Sequence, residues 1–210
     1  MNTAIILVDK MSTKLENITR GDFPKAFMPI NRKPLIERTI ETLNGVGIKR
    51  IILVTGYLKE FFELLDKKYE GIETVANLNY FNTDTMKSFY CAKESIKDED
   101  SVFLLEGDLI FEKNLANHLI DSKNKNEILV NEEEKSIGMD KLSNSLFSQM
   151  FEVHESNKDL TYGEVLEKLN SEIAYKKTED MLWARIETKE DFKEVTETIY
   201  SKILENEEKA

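Results

Sequence analysis

Short apolar runs alternate along the chain with stretches in which apolar residues recur every three or four positions. The run at 4–8 has the length and composition of a buried strand, 50–55, 72–76, 101–106 and 127–130 are further strand candidates, and 182–186 adds another. Pro34 suits the start of a helix in which Ile36, Ile40 and Leu43 share one face, with Gly45 or Gly47 as its stop. Segments 58–68 and 86–96 follow the same helical spacing, and 140–154 and 161–171 also read as helices. Thr161 with Glu164 forms a capping-box pair. A last helix opens at the acidic cap Thr188–Asp191 and runs through Phe192, Val195, Ile199 and Ile203 to a tail at 205–208 that reads as frayed. The charge run 131–135 reads as a solvated loop.

Strands that are apolar almost throughout, separated by single helices, predict parallel β-α-β units with both sheet faces covered. Ligands of such sheets bind beyond the carboxyl ends of the strands. Asp9 and Asp108 both follow strands and are expected on that rim.

Composition narrows the partners. The 210 residues carry 40 acidic and 29 basic side chains, a net charge of −11, which argues against a nucleic-acid partner. The single cysteine, Cys91, excludes an internal disulfide, and His118 and His154 lack metal-ligand spacing. No basic region precedes the first apolar run and Asp9 cuts it short, so neither a signal peptide nor a membrane span is expected, and the expected setting is the cytoplasm.

The first strand leads into the polar loop Asp9–Leu15 and on to Pro24-Lys25. A strand, a loop and a fixed lysine is an arrangement that holds a triphosphate. Such loops use glycine because bare N–H groups must face the phosphate and some residues need a positive φ. None of residues 9–15 is glycine.

Lys33-Pro34-Leu35-Ile36-Glu37-Arg38, then Gly47 through Tyr57, then Glu60-Phe61, resembles the sugar-phosphate and phosphocholine nucleotidyltransferases. Asn77 to Tyr80, Thr83 through Tyr90 and Glu106-Gly107-Asp108 make the chain most similar to the bacterial CTP:phosphocholine cytidylyltransferase group and its phosphonate relatives. Ser136-Ile137-Gly138-Met139 resembles a segment lining the acceptor side, and Trp183 through Phe192 resembles the closing strand and helix. The resemblance covers residues 3–111, 135–143 and 161–196, with a shortened middle around 128–137.

It implies an α/β fold: a three-layer α/β/α sandwich with a mostly parallel, Rossmann-like twisted sheet of the nucleotide-diphospho-sugar transferase type. Residues 1–210 would form a single domain, with a nucleotide-binding half at 1–111, a shortened acceptor-side half at 112–196, and a helix end and acidic tail at 197–210. The implied reaction moves a cytidylyl group from CTP to a small phosphorylated alcohol or phosphonate, phosphocholine-like, releasing pyrophosphate. The resemblance gives Lys25 and Asp108 catalytic roles. It places Leu7, Val8, Asp9, Lys10, Ser12, Lys14, Lys25, Gly56, Asp84, Ser88 and Glu106 around the nucleotide. It puts Mg²⁺ on Asp108 and Glu187, and it allows a homodimer.

The departures from the family pattern are specific. Lys10 and Ser12 stand where the family has glycines, Lys14 where it has arginine, and Glu187 where it has a second metal aspartate. Arg185 stands where an acid is common, and Asp84 replaces an asparagine that contacts the nucleoside. Two readings stay open for Lys10 and Lys14: added charge in place of lost N–H donors, or relics of a site no longer used. Glu187 could bind a metal or simply face solvent. Lys25 could be a surface lysine and Asp108 a turn cap. A non-catalytic relative of the same fold is the alternative function.

Overall fold

A computed structural model describes residues 2–209. At its centre lies β1 (Thr3–Leu7), in which no residue is more than 4% exposed. It pairs parallel with β2 (Arg50–Thr55) on one side, which pairs parallel with β3 (Ile72–Ala76). On its other side runs β4 (Ser101–Glu106), also parallel. A short β5 (Leu109–Phe111) leaves this sheet. The sheet continues through β6 (Glu127–Val130), β7 (Ser136–Ser143) and β8 (Ala174–Lys177), giving the seven-stranded order β8-β6-β7-β4-β1-β2-β3. Only β7 runs antiparallel to its neighbours. The last strand, β9 (Trp183–Arg185), pairs antiparallel with β5 away from the main sheet.

Alternation along β1 explains the three layers. Ile5 and Leu7 point into one core with Met86, Phe89 and Phe147, while Ala4, Ile6 and Val8 point into the other with Ile36, Ile40 and Leu43. Helix α1 (Leu35–Gly45) covers the second face with Ile36, Ile40 and Leu43 all fully buried. Helix α2 (Thr85–Cys91) covers the first, and α3 (Lys113–Asp121) packs beside α1. Helices α4 (Asn144–Ser156) and α5 (Tyr162–Lys168) follow, and the Thr161–Glu164 capping box forms at the start of α5. Among the described residues no helix is long and apolar enough to cross a membrane.

Several expectations are corrected. Residues 140–143 belong to β7, and the helix starts only at Asn144. Leu142, Leu146 and Met150 have helical spacing, but pairing of Val102 with Leu142 claims the first of them for the sheet. Segment 58–68 is a 3-10 turn followed by one α-helical turn, and 86–96 divides at Ala92 into two short helices. Strand β8 went unread because Tyr175 and the lysines beside it lie on an exposed edge without an apolar pattern. The acidic tail is helical to Lys209 and anchored: Asn206 donates to Glu112 at 3.1 Å, and the Lys113 N–H donates to Glu207 at 3.1 Å.

Candidate active site

Strands β1 and β4 end level, Leu7 opposite Glu106, so both chains leave the sheet at one rim. The Gly107 N–H donates to the Leu7 carbonyl at 2.9 Å. A Cβ on Gly107 would lie 2.4 Å from Val8 Cγ1 and 2.8 Å from that carbonyl, so only glycine lets the two strand ends meet. This turn sets Asp108. The Ile186 N–H donates to the Asp108 carbonyl at 2.9 Å, and β9 pairs with β5 in the register Arg185 to Leu109, which lays Arg185 beside Asp108. Lys25 enters from the other side, at the start of a short 3-10 turn after Pro24.

These elements enclose a cavity of about 280 Å³. It is lined by Leu7, Val8, Lys10, Ser12, Lys14, Lys25, Glu106, Asp108 and Glu187, and also by Met11, Thr13 and Arg185. Four cations thus face three carboxylates, so this rim is locally positive on a chain of net charge −11. Such a concave positive spot attracts an anion.

The loop without glycine has its own explanation. None of residues 9–15 has a positive φ, so the backbone path requires no glycine there. The left-handed positions come later, at Arg20 (φ 52°) and Gly21 (φ 74°), after a one-turn helix at Glu16–Thr19. Leu15, fully buried, anchors the loop. The backbone N–H groups of Lys10 to Lys14 make no hydrogen bond within the described chain and remain available to an anion.

Charge pairing in the cavity is dense. Lys25 Nζ donates to Asp108 Oδ2 at 2.6 Å, and Arg185 Nη2 donates to Asp108 Oδ1 at 3.3 Å. Lys10 Nζ lies 3.6 Å from Glu106 Oε2 and donates to Thr85 Oγ1 at 3.3 Å, while Thr85 donates to Glu106. Burial pushes the Asp108 carboxyl up, but Lys25 and Arg185 outweigh it and hold the group below its ordinary range. For Arg185 burial works against the charge, and Asp108, Glu106 and Glu187 together raise it and keep it charged.

Four expected nucleotide-binding residues lie away from this cavity. Asp9 is fully buried, and its Oδ2 accepts from Asn77 Nδ2 and Ser88 Oγ, each at 2.6 Å. Ser88 is equally buried. Asp84 caps α2 by accepting from the Lys87 N–H at 3.0 Å. Gly56 sits beside Tyr57 and Tyr80 in a separate depression.

A smaller cavity of about 100 Å³ adjoins the first, sharing Glu106 and Arg185 as a wall and reaching Ser136, Gly138, Asp140 and Tyr162. Sequence reasoning missed Asp140 because it placed that residue in a helix. Tyr162 donates to Asp140 Oδ2 at 2.7 Å, and burial pushes the Asp140 pKa up to about 7. The native carboxyl therefore holds its proton well above the pH at which the unfolded chain releases it, so this group's contribution to stability falls as pH rises from about 4 through about 7. Asp140→Asn is expected to flatten this dependence, with the variant gaining Tm relative to wild type at pH 8 but not at pH 4, read by calorimetry.

The resemblance puts a divalent ion, Mg²⁺, on Asp108 and Glu187. The residues here do not fit one at the expected pair. Both oxygens of Asp108 are taken by cations, and Glu187, half exposed, lies 3.6 Å from Arg185 Nε. The Arg185 guanidinium therefore stands between the two expected ligands. Among the described residues no three carboxylates, imidazoles or thiols gather into a metal site.

Over 112 residues the chain is 38% identical to a choline-phosphate cytidylyltransferase of Streptococcus pneumoniae, covering 53% of this chain and 47% of that one. Over 107 residues it is 33% identical to a 2-aminoethylphosphonate cytidylyltransferase of Lancefieldella rimae, covering 51% and 43%. The matched stretch thus spans about half the length of these relatives. The structure of an inositol-1-phosphate CTP transferase from T. maritima superposes with a TM-score of 0.78 at 20% identity, covering 98% of this chain and 97% of that one, which shows a shared fold. Residues 4–170 match the MobA-like NTP transferase domain, and the chain belongs to that family.

Proposed function

We propose that this protein transfers a cytidylyl group from CTP to a small phosphorylated alcohol or phosphonate, with release of pyrophosphate. The observation that carries the reading is the convergence of Lys10, Lys25 and Arg185 with the free amides of residues 10–14 on one cavity at the strand ends. Relatives named as cytidylyltransferases of choline phosphate and 2-aminoethylphosphonate, and a fold neighbour named as a CTP transferase, supply the substrate class.

Such a reaction asks little covalent work of the protein. An oxygen of the acceptor's phosphate or phosphonate forms a bond to the α-phosphorus. The bond from that phosphorus to the bridging oxygen breaks, and pyrophosphate leaves with the electron pair. Lys25 serves as a point charge on the phosphates, and the loop amides take the triphosphate tail. Asp108 holds the Lys25 ammonium at a set position through its 2.6 Å ion pair. The adjoining cavity with Asp140 and Tyr162 is the acceptor side in this reading. A cytoplasmic setting and a homodimer belong to the same proposal, the second read by light scattering.

The test is pyrophosphate release from CTP with phosphocholine or 2-aminoethylphosphonate. Turnover selective for CTP supports transfer. A second reading, a non-catalytic relative, is favoured by the closed pairing of Asp108 with Lys25 and Arg185, which leaves its carboxylate no free oxygen. Nucleotide binding without pyrophosphate release, across the acceptor panel, would establish that reading instead.

A further inference from the structure

We infer that Arg185 stands in for a divalent cation, so that this chain binds a nucleoside triphosphate without one. The inference rests on the nucleotide reading above and concerns how the same cavity handles charge.

A magnesium ion needs oxygen ligands at about 2.0–2.1 Å in near-octahedral array. The carboxylates of this cavity are instead organised around a guanidinium. Arg185 Nη2 lies 3.3 Å from Asp108 Oδ1 and 3.9 Å from Glu106 Oε2, and Nε lies 3.6 Å from Glu187 Oε1. One side chain is thus within ion-pair reach of all three acids lining the cavity. An arriving dication would have to displace it, against the repulsion of both Arg185 and Lys25.

The backbone makes this placement durable. Arg185 closes β9, its neighbour Ile186 is fully buried, and the Ile186 N–H holds the Asp108 carbonyl at 2.9 Å. The guanidinium is delivered by the strand pairing itself.

The same group has donors to spare. Its one hydrogen bond uses Nη2, and Nε is buried with no hydrogen-bond partner. A planar guanidinium offers phosphate a two-point fork, which an ammonium does not. With Lys10 and Lys25 it supplies three tethered positive charges toward a triphosphate, the neutralisation that a bound ion otherwise provides.

The experiment is calorimetric titration with CTP in EDTA and in Mg²⁺, on the wild type, Arg185→Gln and Arg185→Lys. The wild type is expected to bind with affinities that agree within about threefold in the two buffers. Arg185→Gln should lose about tenfold or more in EDTA. Arg185→Lys, which keeps the charge but not the fork, should bind metal-free CTP more tightly than Arg185→Gln and more weakly than wild type, separating a lost cation from a lost fold. Wild-type binding in Mg²⁺ alone would overturn the inference while leaving the nucleotide reading standing. Unaltered metal-free binding in Arg185→Gln would overturn it too. No binding in either buffer would overturn the nucleotide reading, and this inference with it.

Discussion

Lys25→Ala is expected to slow cytidylyl transfer by about 10²–10³-fold, the usual cost of removing one preorganised charge aimed at a reacting phosphate. Two consequences of the substitution act together. The cavity loses the ammonium that faces the phosphates. Asp108 loses its 2.6 Å partner, so its Oδ2 turns from a neutralised atom into an exposed negative one beside an incoming anion. Arg185 remains on Oδ1 at 3.3 Å. The measurement is the steady-state rate of pyrophosphate release from CTP with the acceptor that the panel identifies. Lys25 lies on the cavity wall and Arg185 still pairs with the buried Asp108, so the fold should persist with a moderate fall in Tm. A rate within a few-fold of wild type would remove Lys25 from the reaction. A large fall in Tm would show that the lysine is structural.

Asp9→Ala is expected to act in the opposite way, costing stability rather than nucleotide affinity. Asp9 Oδ2 takes hydrogen bonds from Asn77 and Ser88, both buried, and its main-chain carbonyl accepts from the Tyr57 N–H at 3.0 Å. The side chain thereby ties the end of β1 to the turn after β3 and to α2. Alanine would remove the 2.6 Å acceptor of two buried donors, which keep only Thr83 as a partner, a loss of about 3 kcal/mol. For a chain of this length that lowers Tm by about 6–12 °C in a thermal melt. Below the melt, the folded variant should still bind CTP with near wild-type affinity, because Asp9 does not line the cavity. Loss of CTP binding with an unchanged Tm would return Asp9 to the nucleotide.

Asp9 and Asp108 illustrate how far the chain could be read unaided. Both follow strands of the same sheet, and sequence position alone put both on the rim. Asp108 sits on the cavity, with 5% exposure, while Asp9, at 0%, turns inward to bond Ser88 and Asn77. The difference depends on which neighbours the strands bring, and Asn77 and Ser88 are 68 and 79 residues away. The loop after Asp9 shows a different limit. Its missing glycines looked like damage, yet none of residues 9–15 uses a backbone conformation that needs glycine. Residue type alone could not show that, because backbone angles are fixed only in the folded chain, where the loop ends on the buried Leu15 and the one-turn helix at Glu16–Thr19.

Local pattern by itself determined the parallel core. Strands β1, β2 and β4 and helix α1 each carry an apolar run or face strong enough to be recognised without partners, and their alternation dictates helices on both sides of a parallel sheet. The same was true of the caps at Thr161 and Thr188, whose hydrogen bonds reach only three residues. Tertiary structure alone decided the rest. It made 136–143 a strand, because pairing with β4 outweighs the helical spacing of its apolar residues. It brought β9 onto β5, which sets Arg185 between Asp108 and Glu187. Short-range signals report the intrinsic preference of a segment. The charge balance of this cavity instead depends on side chains 77 and 83 residues apart in sequence from Asp108, and their distances are set only when the strands that carry them are paired.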